Sequence, residues 1–192
     1  MQTPCEKWGT PSAFYSAMYL LDTNVFITAK DNYYPLDYCP AFWDWILKGH
    51  HNNLLASVVA VRDEILKREA TPLAKWVKKL PSTFFLDVTP AMRDAAQQIT
   101  DWLEGTSYTP SARIEFMDCA DSELVAHAIA GGHTVVTFEK SRNKITQIKI
   151  PDVCKQFEVP YVNVFEVIRQ SGDKFILDPP LPPVPTQGTM GF

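Results

Sequence analysis

The sequence has few cysteines, no long apolar run and no excess of positive charge. Its 192 residues include four cysteines, and no two of them form a C-x-x-C pair. We therefore interpret them as reduced thiols of a cytoplasmic protein, with a disulfide framework or zinc site as the less favoured alternative. No apolar run reaches the roughly 20 residues that span a bilayer, and the N-terminus lacks the layout of a signal peptide, so no membrane association is expected.

Several functional classes are also poorly supported by the sequence. The net charge of −4 argues against a histone-like nucleic-acid binder, although a local basic patch or bound metal ions would still permit a nucleic-acid enzyme. The phosphate-binding pattern G-x-x-x-x-G-K-[ST], the dinucleotide pattern G-x-G-x-x-G and the order of a Ser-His-Asp triad are all missing. The composition, with 46% hydrophobic and 21% charged residues, is that of one soluble globular domain.

Apolar runs alternate with helical patterns along most of the chain. Predicted strands cover 17–22, 53–57, 83–88, 133–138 and 161–165; predicted helices start at Asn24 and after the second strand and cover 40–48, 72–80, 90–103 and 119–130. Thr71-Pro72 and Thr89-Pro90 indicate helix starts, Gly49 and Gly131-Gly132 indicate helix ends, and residues 105–110 are assigned to a loop. This alternation predicts an α/β domain with a parallel sheet of about five strands flanked by helices. We assign that domain to residues 17–176, between an irregular extension at 1–16 and a proline-rich tail at 177–192, which is either a partner-binding segment or a simple terminal extension.

Acidic residues follow two of the predicted strands. The run "MYLLDTNVFI" places Asp22 where the first strand ends, and "VVTFEKS" places Glu139 just past the fourth strand. Asp121 lies in the first turn of the helix before that strand, and Glu64 lies in the helix after the second strand. Ligands of parallel sheets bind beyond the carboxyl ends of the strands, so these acids are expected to converge there.

Converging carboxylates repel each other and stay ionised only when a cation compensates them. Oxygen ligands without nitrogen or sulfur favour Mg²⁺ or Mn²⁺, which support phosphoryl displacement. Each acid also has an ordinary structural explanation: Asp22 as a helix cap, Asp121 as a first-turn acid, Glu64 on a solvated helix face and Glu139 as a loop acid. Asp118, next to the same helix as Asp121, is expected to be its N-cap, with a metal role as the alternative. The metal hypothesis therefore depends on the whole set.

Three segments of the sequence resemble the PIN domain, a nuclease fold. "YLLDTNVFI" is similar to the family's opening strand and acid, "VRDEIL" to its second acidic position, and "DCADSELVAHAIAGGHTVVTFEKS" to its third block. The similarity spans about residues 17–165 in the family's order and is greatest to a bacterial PIN-like subgroup of uncharacterised function with a tryptophan-rich segment. It implies metal-binding, catalytic acids at Asp22, Glu64, Asp121 and Glu139.

The resemblance also implies supporting residues and a reaction. Asn24 would orient Asp22 or a water molecule, Thr137 would hydrogen-bond within the acidic cluster, and Asp118 could share or replace the role of Asp121. Glu139 stands where many members have aspartate. The family implies Mg²⁺- or Mn²⁺-dependent cleavage of RNA, and many bacterial members are homodimeric toxins of the VapC type that an antitoxin protein blocks. A PIN-like module that binds RNA or protein without catalysis is the alternative.

Basic and aromatic residues suggest where RNA would contact the protein. Lys140, Arg142 and Lys144 follow Glu139 and are candidates for binding the RNA backbone, or else form a solvated loop. The aromatic side chains of "FWDWIL" at 42–47 are expected to pack in the core or in a dimer interface rather than to stack on RNA bases. A phosphohydrolase of the haloacid dehalogenase type would need a second aspartate at position 24, where the sequence has Asn.

Overall fold

The computed structural model describes residues 17–68, 71–142 and 144–176, so the predicted extension and proline-rich tail lie outside the described residues. Five strands form one sheet: β1 Tyr19–Leu21, β2 Leu55–Val58, β3 Phe85–Leu86, β4 Thr134–Val136 and β5 Tyr161–Val162. Every neighbouring pair is parallel, in the order β3-β2-β1-β4-β5. The predicted α/β class with a five-stranded parallel sheet is confirmed.

The central strand β1 lies between β2 and β4. Leu21 of β1 is in register with Val136 of β4, so these two strands end side by side. All four residues of β2 are buried, and because side chains alternate along a strand, both faces of the sheet are covered. This explains the unbroken apolar runs that predicted the strands.

Helices connect and cover the strands. The helices of the described residues are α1 Thr23–Thr28, α2 Pro40–His51, α3 Val59–Leu66, α4 Pro72–Val77, α5 Pro90–Glu104, α6 Pro110–Met117, α7 Ala120–Gly131, α8 Ile150–Gln156 and α9 Val164–Ser171. A π-helical turn, Ala29–Tyr33, extends α1, and a 3₁₀ turn, Ser82–Phe84, precedes β3. Within the described ranges no helix is long and apolar enough to cross a membrane.

Threonine-proline pairs begin three of these helices. Thr71 accepts a hydrogen bond from the Ala74 N–H and Thr89 from the Met92 N–H, as predicted for α4 and α5. Thr109 caps α6 in the same way. Our assignment of residues 105–110 to a loop was correct only up to this cap, since the third pair starts a helix that we did not predict.

Two glycines differ in what they do to a helix. We expected Gly49 to end α2, but the helix continues to His51. A Cβ on Gly49 would lie 2.5 Å from Leu55 Cδ1, so glycine is needed there because the helix approaches β2 closely. Gly132 has φ 62° and follows the last residue of α7, so this predicted helix end is confirmed.

Aromatic side chains of α2 form part of the core. Phe42, Trp43 and Trp45 are all buried, so the core interpretation of the tryptophan-rich segment is confirmed. Trp43 donates a hydrogen bond from Nε1 to the Tyr34 carbonyl oxygen over 2.8 Å. Its indole ring also packs at 4.7 Å against that of Trp76, which anchors α2 to α4.

Candidate active site at the carboxyl edge of the sheet

Asp22 is a buried carboxylate directly after β1. Its side chain is 2% exposed, and its N–H donates to the Val136 carbonyl oxygen over 3.0 Å, which continues the β1–β4 ladder by one residue. Asp22 stands at the N-cap position of α1, but its side chain makes no capping bond there. Instead Oδ2 accepts a 2.8 Å hydrogen bond from Thr137 Oγ1. The ordinary capping explanation therefore does not account for this acid.

Thr137 is the centre of the hydrogen-bond network around Asp22. Its hydroxyl oxygen accepts bonds from Asn24 Nδ2 and from the Glu139 N–H, each over 3.0 Å. Asn24 in turn accepts from the Phe138 N–H through Oδ1. The structure confirms the predicted contact between Thr137 and the acidic cluster, and it shows that Asn24 holds Asp22 through this threonine.

All four predicted acids line one cavity. Asp22 is joined by Glu64 from α3, Asp121 from the first turn of α7 and Glu139 from the loop after β4, around a cavity of about 270 Å³. Glu64 is largely exposed, and its Oε2 accepts a 2.7 Å hydrogen bond from Thr23 Oγ1. The chain thus brings together acids that lie far apart in sequence.

The two helices that carry Glu64 and Asp121 are also linked to each other. Glu123, two residues after Asp121, accepts a hydrogen bond from the Ala60 N–H in the first turn of α3, over 3.3 Å. An acid at this end of a helix satisfies a free N–H and interacts favourably with the helix dipole. Glu123 therefore helps to hold the two helices, and with them the acids, in place.

Burial and repulsion between carboxylates disfavour the ionised forms of Asp22 and Asp121. The pKa of Asp22 is raised well above its usual range, first by burial and then by the carboxylates of Asp121 and Glu139, against the opposing effect of the Thr137 bond. Burial, Glu139 and Glu64 raise the pKa of Asp121 to about 6. Such a site gains stability from any cation that enters it.

One basic side chain already lies inside the cavity. Lys149 is the residue before α8, and its Nζ forms an ion pair with Glu139 Oε1, while Glu139 Oε2 accepts from the Ile150 N–H over 3.0 Å. Both oxygens of Glu139 are thus engaged by protein groups. Lys149 also lowers the pKa of Asp121, so its charge acts on more than one acid.

The chemistry of the donors fits a hard divalent ion, although their spacing would have to change. The cavity offers carboxylate, amide and hydroxyl oxygens, the ligands preferred by Mg²⁺ and Mn²⁺. The thiol of Cys119 also lines the cavity, but burial raises its pKa to about 12, so it stays protonated. Among the described residues, no three His, Cys, Asp or Glu side chains stand close enough together to hold an ion. A bound ion would have to draw the acids inward.

Asp118 is not brought to the acidic cluster. It is exposed, follows the last residue of α6, and lines a separate groove with Arg113 and Met117. The N-cap of α7 is Cys119, not Asp118, so the predicted capping role was wrong. Asp118 is instead the C-cap residue of α6, a helix that we did not predict.

The predicted RNA-binding residues border the site without entering it. Lys140, Arg142 and Lys144 are exposed and belong to the loop between β4 and α8, which also carries Glu139 and Lys149. None of the three lines the cavity. They belong to the loop beside the cleft and do not reach its centre.

Sequence reasoning missed Lys149, Thr23 and Glu123. Lys149 contacts Glu139, which lies 10 residues earlier in the chain. Thr23 contacts Glu64 and Glu123 contacts the Ala60 N–H, across 41 and 63 residues. The sequence did contain a signal for Lys149. The segment "KIPD" at 149–152 has a proline early in a helix and an acid at the third helical position. In the structure, Asp152 accepts a hydrogen bond from the Lys149 N–H. That pattern would have predicted α8 and placed Lys149 at its start.

Fold and site together define an α/β protein with an acidic cleft at the carboxyl edge of a five-stranded parallel sheet. A family model described as "Domain of unknown function (DUF4411)" matches residues 19–175. The chain belongs to this family, and the match covers all five strands and all four acids. A comparison with curated proteins finds no match to the chain.

Proposed function

We propose that the protein is a PIN-like, Mg²⁺- or Mn²⁺-dependent endoribonuclease. The observation that carries this proposal is the cluster of four carboxylates around one cavity, two of them with raised pKa values. A protein does not stabilise its fold by gathering acids in a buried cleft, so a cationic ligand best explains the arrangement. The parallel sheet, with Asp22 at the end of its central strand, supports the resemblance to the PIN domain.

Some residues of the site would bind the ion directly, and others would fix the position of those metal-binding side chains. Asp22, Asp121 and Glu64 would bind the ion, and Glu139 is the fourth acid of the predicted set. Thr137 and Asn24 fix the carboxylate of Asp22, and Thr23 fixes that of Glu64. The ion, when bound, would activate water and offset the charge that develops on phosphorus.

A polymer is the substrate that the cavity and its border favour. The cavity of about 270 Å³ lies just below the roughly 300–1,000 Å³ of pockets that enclose small molecules. One phosphate and its sugar would enter it, while the rest of the strand would lie across the surface. Lys140, Arg142 and Lys144 on the bordering loop would then attract the backbone, which a protein of net charge −4 needs locally.

We propose the biological role that many bacterial PIN proteins have, that of a toxin in a toxin–antitoxin pair. The protein would act in the cytoplasm as a homodimeric toxin, and a cognate antitoxin would cover the acidic cleft. The cleft itself supports this part of the proposal, since a basic or helical segment of an antitoxin could neutralise it.

A second candidate is a PIN-like module that binds RNA or protein without cutting. The observation in its favour is the ion pair between Lys149 and Glu139, by which the protein partly neutralises its own acids. The spacing of the described acids, too wide for three of them to share an ion, also favours it.

Cleavage assays distinguish the two candidates. Purified protein is incubated with total and structured RNA in the presence of Mg²⁺, Mn²⁺ or EDTA, beside the variants Asp22→Asn and Asp118→Asn. We expect cleavage that requires the metal, disappears in Asp22→Asn and persists in Asp118→Asn, whose carboxylate lies outside the cleft. This pair makes the same chemical change at a buried site residue and at an exposed residue.

Calorimetry with Mn²⁺ completes the test. Absence of both cleavage and metal binding would overturn the enzyme and leave the binding module. Metal binding without cleavage would keep the metal site and reject RNA of the tested kinds as the substrate. Cleavage that is equal in EDTA and in Asp22→Asn would come from a contaminating nuclease and would also count against the proposal.

A further inference from the structure

Three aromatic rings form a surface cluster beside the acidic cleft. The ring of Tyr33, at the end of the π-helical turn after α1, lies with its centroid 5.9 Å from that of Phe138 and 5.0 Å from that of Phe165. Phe138 and Phe165 also contact each other, with 5.6 Å between their centroids. Tyr33 is 48% exposed, whereas the other two residues are half-buried. The two phenylalanines therefore hold the tyrosine ring in place and leave much of it in solvent.

The aromatic cluster and the cleft lie on either side of one short segment of chain. Thr137 donates to Asp22 and Glu139 lines the cavity, while Phe138 between them packs its ring the other way, against Phe165 of α9. Because β4 lies between β1 and β5, the cleft occupies the β1 side of this segment and the aromatic cluster the β5 side. Both therefore lie along the carboxyl edge of the sheet.

The distance between the cleft and the aromatic cluster suits nearby nucleotides of one strand. Adjacent strands of a sheet are about 4.8 Å apart, so β1 and β5, with β4 between them, are roughly 10 Å apart. Nucleotides stacked as in a duplex advance by about 3.4 Å each, so about three steps cover this distance. A strand with a phosphate in the cleft would thus bring a nearby base to Tyr33.

The charges around the aromatic cluster favour a nucleic-acid strand as its ligand. Arg169 follows Phe165 by four residues in α9, which places both on the same face of the helix. Arg169 and Lys140 are exposed, and among the described residues no acid forms an ion pair with either of them. The acids beside the cluster are already engaged, since Asp31 forms an ion pair and Glu166 accepts a backbone hydrogen bond at the start of α9. An exposed ring beside basic side chains is the combination by which proteins hold single-stranded nucleic acids.

We propose that Tyr33 is a stacking site for an unpaired base of a single-stranded RNA whose phosphate occupies the acidic cleft. Phe138 and Phe165 position the tyrosine ring, so little side-chain freedom is lost when a base stacks on it. Arg169 and Lys140 attract the backbone next to that base. A duplex keeps its bases stacked on each other, so the site selects single strands. This inference rests on the proposed function for its ligand, RNA, and needs no bound metal ion.

Binding of labelled oligonucleotides tests the inference apart from cleavage. Fluorescence anisotropy measures the Kd of a short single-stranded RNA and of its duplex in EDTA, for wild type, Tyr33→Ala, Tyr33→Phe and Tyr38→Ala. Tyr38 is 81% exposed and lies outside the aromatic cluster, so it provides the matched control. We expect the single strand to bind more tightly than the duplex, and Tyr33→Ala to weaken this binding at least about fivefold. Tyr33→Phe and Tyr38→Ala should bind like the wild type.

Strands with one abasic position separate stacking from a merely structural role of Tyr33. The abasic position is moved along the short RNA, and each strand is titrated with wild type and with Tyr33→Ala. We expect one position at which loss of the base weakens wild-type binding about as much as Tyr33→Ala does. The same abasic strand should cause no further loss in Tyr33→Ala, because the base and the ring act as one pair.

The outcomes distinguish this inference from the proposed function. Unchanged binding in Tyr33→Ala, or equal affinity for single strand and duplex, would overturn the stacking site and leave the nuclease standing. A wild-type dimer that Tyr33→Ala dissociates, as sedimentation would show, would also overturn it, because the rings would then face a second copy of the chain. Binding that depends on Tyr33, without cleavage by any tested metal, would keep the stacking site and count against the nuclease.

Two remaining outcomes concern the protein as a whole. Absence of RNA binding, both in EDTA and with Mg²⁺ in the Asp22→Asn background, would count against the proposed function and overturn this inference with it. If Tyr33→Ala does not fold, as circular dichroism would show, the abasic series with the wild-type protein decides alone. A series in which no position matters would then overturn the stacking site.

Discussion

Replacing Asp121 by asparagine should stabilise the metal-free protein while it removes the response to metal. Burial and the carboxylates of Glu139 and Glu64 raise the pKa of Asp121 from 3.8 to about 6. One pKa unit corresponds to about 1.4 kcal/mol, so ionised Asp121 costs the fold about 2–3 kcal/mol once its partial exposure is allowed for. Asparagine has nearly the same shape and carries no charge.

The sign of the pH dependence follows from the direction of this shift. Below pH 3.8 Asp121 is protonated in both the folded and the unfolded chain, so it carries no electrostatic penalty. As the pH rises the unfolded chain releases its proton first, and the penalty is complete above pH 6. The gain in the free energy of unfolding should therefore be largest at pH 8 and fall to about 1 kcal/mol at pH 4.5.

Urea unfolding measures this effect. The free energy of unfolding is compared for wild type, Asp121→Asn and Asp118→Asn in EDTA at pH 8 and pH 4.5, and again with Mg²⁺. Asp118 is exposed and serves as the control, with an expected change below about 0.5 kcal/mol. Mg²⁺ should stabilise the wild type and leave Asp121→Asn nearly unchanged. A variant that is less stable than wild type at pH 8 in EDTA would refute the electrostatic reasoning.

Two further predictions concern other buried polar groups. Thr137→Val removes the hydroxyl that donates to Asp22 and accepts from Asn24. It should destabilise the fold by about 1–3 kcal/mol in urea unfolding and weaken Mn²⁺ binding in calorimetry. Thr137→Ser keeps the hydroxyl and should retain most of the stability and the binding, so equal behaviour of the two variants would count against the network. His127 is buried, and burial lowers its pKa from 6.5 to about 4. At pH 5 the unfolded chain therefore binds a proton at this residue that the folded chain does not bind. Between pH 7.5 and pH 5 the free energy of unfolding, measured in urea, should fall by about 1–2 kcal/mol more in the wild type than in His127→Phe. An equal fall in the two proteins would contradict this prediction.

The parts of the fold that sequence predicted are those set by local pattern. Strand β1 is predictable because buried parallel strands are continuously apolar. Helices α4 and α5 are predictable because Thr71 and Thr89 each precede a proline. The same pair at Thr109 was overlooked inside a segment whose other residues favour loops. Strand β3 shrinks to two residues, since a 3₁₀ turn takes up the start of the predicted strand.

The parts of the site that sequence did not predict depend on tertiary contacts or on a helix that the sequence analysis missed. Asp22 and Glu139 were predictable because strand ends of a parallel sheet share one edge. The place of Asp118 was not, because it depends on whether residues 110–117 form a helix. Lys149 was not, because nothing local to it indicates that the loop after β4 folds back onto Glu139. Local patterns thus yield the acids, while the partners Lys149, Thr23 and Glu123 emerge only from the tertiary structure.

The strand order has a consequence for how the protein is made. β1 is synthesised first, yet it pairs with β4. Thr137 and Glu139, which surround Asp22, are synthesised more than a hundred residues later. Such non-local pairing forms late in folding. A ribosome must therefore release the chain beyond Lys149 before the cleft can close around its acids. The acidic cleft is therefore complete only after most of the domain has emerged.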